Sequence, residues 1–175
     1  MKEEFIKLLK QTNREGIDKL IEFLEGSDFF EAPASTRYHG NWKGGLLEHS
    51  MKVYEMLKSK TEDNDSVKIV ALLHDICKTN YYKTEYRNAK IDGEWQQVPY
   101  YTVEDNIPFG HGEKSVMMIS EFIKLTPEEK YAIRWHMGFT EPKEQYGTIG
   151  LAYKKYPLAL LMFEADLEAT YLFDI

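Results

Sequence analysis

The chain has 175 residues and a formal net charge of −7, with 43% apolar and 29% charged residues. These values are typical of a globular protein, and the length predicts one domain, residues 1–175, with a sizeable core. The acidic balance argues against a long nucleic acid as partner, because binding many phosphates requires a broad basic surface. A small phosphorylated substrate stays compatible, since bound metal ions can reverse the local field.

The sequence shows no apolar run near the ~18 residues of a membrane span, and MKEEFIKLLK lacks the apolar core of a signal peptide. Cys77 is the single cysteine, which excludes an internal disulfide and a thiolate zinc cluster. We therefore expect a cytoplasmic protein without a membrane partner. A homodimer is possible, but no pattern favours it.

The first 30 residues predict one or two short amphipathic helices that pack on the core, with Gly26 as the C-cap. After a loop rich in aromatic and basic residues, a helix follows that places His49 on its buried face. Asp65 or Ser66 is the expected cap of the next helix, whose apolar stripe leads to His74.

Residues 81–105 are rich in tyrosine, tryptophan and valine, and Asp92-Gly93 is a strong two-residue turn signal. They predict a β-hairpin inserted between helices. Its aromatic residues suit a substrate lid, but they equally suit packing against helices. Beyond it, Thr126 and Pro127 predict a helix start with a capping box, and this helix is expected to include His136 and to end at Gly138. A last helix begins at about residue 157, so the fold class is all-α with a small β-hairpin.

Histidines and aspartates are the residues of this sequence best suited to bind a metal ion. Four of the five histidines have apolar neighbours or begin a helix, and two aspartates, Asp75 and Asp166, accompany them. A buried ionised carboxylate needs a cation or strong donors beside it. Imidazole and carboxylate together suit Zn, Fe, Mn, Co or Ni rather than Ca. Taken singly, each residue has an ordinary explanation as a core histidine or a capping carboxylate, so spacing alone leaves a metal site open.

Five segments in order, YHGNWKGGLLEHS, ALLHDICK, GHGEKS, IRWHM and ADLEAT, resemble the motifs of the HD-domain superfamily. The resemblance extends from about Arg37 to the C-terminus. It implies a helical bundle and a metal-dependent phosphohydrolase of the six-ligand branch, with two divalent transition-metal ions. The implied ligands are His49, His74, Asp75 and Asp166 for the first ion, and His111 and His136 with a bridging Asp75 for the second.

The same resemblance suggests roles around the ions. Lys78 matches the lysine of an HDxGK variant, where it faces the phosphate, although a surface lysine is the simpler alternative. Cys77 departs from the glycine of that variant and narrows the space beside Lys78. We expect Asp75, Lys78 and His39 to be catalytic, with His39 contacting phosphate or transferring a proton to the leaving group. The expected substrate-binding residues are Arg37, Lys43, Lys78, Lys114 and Ser115.

Three functions are compatible with this ligand set. The first is a phosphohydrolase that cleaves a phosphoester of a small phosphorylated substrate, with a nucleotide as the expected kind, by a metal-activated hydroxide. The second is a mixed-valent diiron oxygenase, since some HD proteins use the same ligands to activate O₂. The third is a nucleotide-sensing module without turnover. Lys78 and the basic groups near His39 favour the phosphohydrolase.

Overall fold

The computed structural model describes residues 1–172, which are mostly helical with one two-stranded antiparallel sheet. This agrees with the predicted helical fold and inserted hairpin. Within the described residues, no helix has the length and apolarity required to cross a membrane. The elements are α1 Lys2–Gln11, α2 Ile17–Gly26, α3 Gly45–Lys60, α4 Asp65–Leu73, β1 Tyr82–Ile91, β2 Glu94–Val103, α5 His111–Ser120, α6 Pro127–Arg134, α7 Tyr146–Lys155 and α8 Pro157–Tyr171.

The core lies between α3, α4, α6 and α8, which supply fully buried residues such as Leu46, Leu72, Ile133 and Met162. The N-terminal helices α1 and α2 join the same core through their apolar faces. Burying one such aliphatic side chain contributes roughly 1.5–3 kcal/mol. Helical periodicity in the sequence therefore translates directly into a single contiguous apolar interior among the described residues.

Helix ends follow the sequence signals in part. The capping box of α6 is confirmed, because Thr126 and Glu129 exchange their side-chain and backbone hydrogen bonds. The cap of α4 is Asn64 rather than Asp65 or Ser66, since its Oδ1 accepts the backbone N–H of Val67 at 3.1 Å.

Two further expectations need correction. Gly26 is the last residue of α2 and lacks the left-handed conformation of a C-cap glycine. Helix α6 ends at Arg134, so His136 lies in the turn that follows it. Helix α7 was not predicted, because Gly147 and Gly150 weaken its helical propensity and its buried stripe is short.

The hairpin projects from the helices over most of its length. Asp92 and Gly93 both have positive φ, at 51° and 91°, as a two-residue hairpin turn of the predicted kind requires. Tyr86 and Trp95 are 64% and 74% exposed, so these two aromatic side chains do not pack against helices. An isolated two-stranded sheet is marginally stable in water, so this one depends on contacts at its base.

Candidate metal centre

Six side chains from separate segments converge on one point of the helical core. Three overlapping groups of three residues, drawn from these side chains and Cys77, bring their potential ligand atoms within 4.8 Å of one another. One residue comes from α3, two follow the end of α4, one begins α5, one follows α6 and one lies on α8: His49, His74, Asp75, His111, His136 and Asp166. These are the six ligands that the resemblance implied.

The first half of the cluster joins α3, α4 and α8. His49 Nε2 lies 3.0 Å from Asp166 Oδ1 and 3.3 Å from His74 Nε2. His74 Nε2 is in turn 3.5 Å from Asp75 Oδ2. Four potential ligand atoms, from α3, from α8 and from the turn after α4, therefore surround a single small volume.

The second half of the cluster meets the other oxygen of Asp75. Its Oδ1 lies 2.8 Å from His111 Nε2 and 3.6 Å from His136 Nε2. The two oxygens of one carboxylate thus face two different sets of histidines. Asp75 therefore belongs to both halves of the cluster.

Backbone carbonyls set the orientation of two of these rings. His74 Nδ1 lies 2.9 Å from the carbonyl oxygen of Ala71, and His136 Nδ1 lies 2.6 Å from that of Ile133. When these Nδ1–H groups donate to the carbonyls, the Nε2 lone pair of each ring points into the cluster. Holding the outer nitrogen in this way is how proteins fix the tautomer of a ligating histidine.

Burial and charge oppose each other in this cluster. Burial would raise the pKa of both aspartates, but Lys78 and neighbouring histidines hold the pKa of Asp75 well below the ordinary value, and histidines alone do the same for Asp166. Burial lowers the pKa of His74 to about 3. Both aspartates are therefore anionic and His74 is neutral near pH 7, which are the protonation states that metal ligation requires.

Polar atoms without partners show that the residues fit a metal. Asp75 Oδ1 and His136 Nε2 are buried, and neither has a hydrogen bond of good geometry within residues 1–172. Leaving such groups unpaired costs roughly 1–3 kcal/mol each. Their separation of 3.6 Å is too long for a hydrogen bond but close to that of two ligands on one ion, roughly 3–3.5 Å for bonds near 2.1 Å. Clustered imidazoles and carboxylates are a donor set for a divalent transition metal.

Two further predicted residues reach this cluster. Lys78 Nζ lies 2.6 Å from Asp75 Oδ2, and Lys78 lines the cavity above the cluster. The ring of His39 lies 4.9 Å from that of His49, centroid to centroid, and also lines the cavity. Burial and the neighbouring His49 lower the pKa of His39 to about 4. His39 is therefore a neutral imidazole near pH 7.

The basic residues of the preceding loop lie elsewhere. Arg37 is exposed and is not among the side chains that line the cavity. Lys43 is exposed too, and its Nζ lies 3.2 Å from Glu31 Oε1. The structure therefore does not bring either residue to the substrate cavity. Loop side chains follow local backbone direction, which spacing in the sequence does not reveal.

Lys114 and Ser115 have internal partners rather than a position on the cavity. Lys114 is 5% exposed, donates to Asp105 Oδ1 at 2.7 Å and lies over the ring of Tyr81. Ser115 is fully buried, and its Oγ accepts the backbone N–H of Cys77 at 3.3 Å. The predicted substrate contact of both residues is thus replaced by a role in holding neighbouring segments.

The cavity has a volume of about 810 Å³ and opens above the cluster. Its aromatic lining was largely missed by sequence reasoning. Trp42 is held by Glu48, which accepts its Nε1–H at 3.1 Å. Phe163 precedes Asp166 by three residues on α8, a helical spacing that could have identified it. The aromatic side chains that line the cavity are Tyr38, Trp42, Tyr81, Tyr82, Phe163 and Tyr171.

A glycine is required at position 138, where α8 approaches the turn after α6. Its φ is +53°, and a Cβ at this position would lie 2.3 Å from the ring of Phe163. Since that distance is impossible for a real contact, only glycine allows this close approach. The sequence signal at Gly138 therefore marks a constraint on the cavity rather than the end of α6.

Comparison with known proteins gives two matches, one to a single protein and one to a protein family. A protein of Methanocaldococcus jannaschii named dihydroneopterin 2',3'-cyclic phosphate phosphodiesterase is 33% identical over a region that covers 47% of this chain and 43% of that protein. The chain thus aligns with less than half the length of this relative. No solved structure gives a significant match. The sequence model of the HD-domain family matches residues 46–172 of this chain.

Both findings support the predicted enzyme class, a metal-dependent hydrolase of phosphoric esters. The matched region includes all six residues of the cluster, from His49 to Asp166. The chain belongs to the HD-domain family.

Proposed function

We propose that this chain is a metal-dependent phosphohydrolase that cleaves one phosphodiester in a small substrate containing an aromatic heterocycle. The observation that supports this most is the position of Asp75. Its two oxygens face separate groups of histidines below an open cavity, and Lys78 adds a cation on the cavity side. Two bound divalent ions would supply an activated water and stabilise negative charge on the phosphoryl oxygens.

The six cluster residues would hold these ions, with Asp75 shared between them. The ions are drawn from Fe, Mn, Co, Ni and Zn, because the donors are imidazole nitrogens and carboxylate oxygens. Lys78 keeps Asp75 ionised and has further N–H groups that can reach a phosphoryl oxygen. His39 lies between the cavity and His49, and its buried Nδ1 has no hydrogen-bond partner within residues 1–172. It is placed to hydrogen-bond an oxygen on the leaving-group side.

The cavity lining suits a ligand that has one phosphate group and one planar heterocycle. Lys78 is the one lysine on the cavity lining within the described residues, and no arginine lines it. A triphosphate tail would need several more cations to neutralise its charge, whereas one phosphodiester needs few. Trp42, Tyr82 and Phe163 offer apolar faces on which a heterocycle can pack. Cyclic nucleotides and pterin cyclic phosphates belong to this class, and the named relative acts on one of the latter.

The test is a substrate panel with the Mn²⁺-loaded and, separately, the Fe²⁺-loaded protein, measured with and without oxygen. The panel contains 2',3'- and 3',5'-cyclic nucleotides, dihydroneopterin cyclic phosphate, bis(p-nitrophenyl) phosphate and nucleoside triphosphates. We expect hydrolysis of the cyclic diesters above the triphosphates, independent of oxygen and lost in Asp75→Asn. Oxygen consumption coupled to turnover would instead establish the oxygenase. Stoichiometric nucleotide binding without turnover would establish the sensing module.

A further inference from the structure

The histidine at the start of α5 lacks the support that orients two others. His74 and His136 each direct Nδ1 to the carbonyl oxygen three residues earlier. His111 is the first residue of its helix, and the preceding Gly110 has a non-helical backbone with a positive φ of 79° and ψ of 154°. No helical turn precedes His111, so its Nδ1 cannot use a carbonyl of the same kind.

A sulfur atom occupies the place of that carbonyl. Cys77 Sγ lies 3.2 Å from His111 Nδ1, while His111 Nε2 lies 2.8 Å from Asp75 Oδ1. The His111 side chain is 33% exposed, whereas Cys77 is only 3% exposed. The buried sulfur therefore contacts the outer nitrogen of a partly exposed ring, and the inner nitrogen faces the cluster.

Cys77 is itself fixed to the helix that it supports. Its backbone N–H donates to the Oγ of Ser115, which lies on α5 one turn after His111. Two contacts, one from the backbone and one from the side chain, thus connect the segment after Asp75 to α5. A shift of Cys77 would displace His111 relative to Asp75.

We propose that Cys77 is a positioning residue for His111: its sulfur hydrogen-bonds Nδ1 and holds the ring with Nε2 at the cluster, beside Asp75. Asp75, Cys77 and His111 offer potential ligand atoms within 4.8 Å of one another, so ligation by the sulfur itself is the competing role that the experiment must separate. The metal itself rests on the proposed function. The orientation of the His111 ring does not, since it is a property of the metal-free protein.

The experiment uses full-length Cys77→Ser, which keeps a hydrogen-bonding group, and Cys77→Ala, which removes it. The first readout is the ¹⁵N shift of His111 Nδ1 in the metal-free protein, from long-range ¹H–¹⁵N NMR of ¹⁵N-histidine samples. Because the Asp75 carboxylate 2.8 Å from Nε2 favours a proton on Nε2 in all three proteins, we expect the shift of a hydrogen-bonded Nδ1 in the wild type and in Cys77→Ser, and that of a free Nδ1 in Cys77→Ala. The second readout is Mn²⁺ titration calorimetry. Loss of such an outer contact costs about 10–100-fold in metal affinity, so Cys77→Ala should lose this much for one ion and Cys77→Ser only a few-fold.

A double-mutant cycle with His111→Ala provides the matched control. If Cys77 acts through His111, adding Cys77→Ala to His111→Ala should not weaken Mn²⁺ binding further. Thermal unfolding of each variant checks that it is folded. An unchanged Nδ1 shift with unchanged Mn²⁺ binding in Cys77→Ala would overturn the proposal. So would equal loss of Mn²⁺ affinity in the serine and alanine variants, because that would make the sulfur itself a ligand. A wild type that binds no Mn²⁺ but has the shift of a hydrogen-bonded Nδ1 would overturn the proposed function and leave the positioning role intact.

Discussion

The helical metal centre and the inserted hairpin differ in how they place side chains near the cavity. In the centre, four of the six side chains, those of His49, His74, Asp75 and His136, are almost fully buried. In the hairpin, Tyr86 and Trp95 are exposed, and only its base reaches the cavity through Tyr82 and Val103. The centre gains precision from the packed core, whereas the hairpin depends on a few contacts at its two ends.

This difference predicts how the two regions respond to mutation. Changes in the centre or its supports should alter metal binding or global stability, because the buried groups have no water to replace a lost partner. Changes along the hairpin should remain local. Four substitutions test the comparison, in decreasing order of expected effect.

Asp75→Asn should have the largest effect. It removes the charge shared between the two halves of the cluster, so the variant should lose most bound transition metal. Losing several kcal/mol of charge stabilisation corresponds to a fall of about 10³-fold in phosphodiester hydrolysis. Metal content by mass spectrometry and kcat/KM on a cyclic diester measure both effects. Retained metal with retained activity would show that the cluster is not the active centre.

Glu129→Ala should cause the largest loss of stability outside the centre. Glu129 is fully buried, and Arg14, Ser66 and the backbone N–H of Thr126 all donate to it. Removing one partner of such a buried ion pair costs about 3 kcal/mol, which urea unfolding would measure.

The same glutamate predicts a pH dependence. Burial would raise the pKa of Glu129, but its three donors hold the pKa below the ordinary value of 4.5. A folded pKa below the unfolded one adds stability above pH 4.5, and this stability is lost as the pH falls through the folded value. The wild type should therefore lose stability on acidification more steeply than Glu129→Ala. Parallel curves for the two proteins would contradict this assignment.

Lys114→Met should loosen the hairpin with a moderate cost in stability. Lys114 contacts Asp105 after β2 and Tyr81 before β1, so it holds both ends of the insert against α5. Losing this charged hydrogen bond and the ring contact costs about 1–2 kcal/mol. Hydrogen exchange should accelerate across residues 82–103 and stay unchanged in α3 and α8. Uniform acceleration over the whole chain would mean that the hairpin is not a separate unit.

Trp95→Ala should have the smallest effect. The side chain is 74% exposed, and exposed substitutions usually change the unfolding free energy by less than about 0.5 kcal/mol. Thermal unfolding would check this, with Tyr82→Phe as the control at the base, where the hydroxyl donates to the carbonyl of Ala34 at 3.1 Å. A large loss in Trp95→Ala would break the contrast between the two regions.

Prediction from sequence succeeded where short-range patterns are strong. The Asp92-Gly93 turn and the capping box at Thr126 depend only on neighbouring residues, and both are present in the structure. The weak helix α7 escaped detection because two glycines interrupt its short stripe. The choice of Asn64 as a cap also escaped, because three neighbouring polar residues could each have capped α4.

The amino-acid sequence by itself determined the helical character, the inserted hairpin, the family and the six residues that meet at the centre. Periodicity and motifs encode which side of a segment is buried and which chemistry it bears. Only the tertiary structure decided that Asp75 divides its oxygens between two groups, that Lys114 and Ser115 hold segments together, and that Cys77 lies against His111. These relations join residues far apart in the chain, and local spacing does not specify which buried faces pack together.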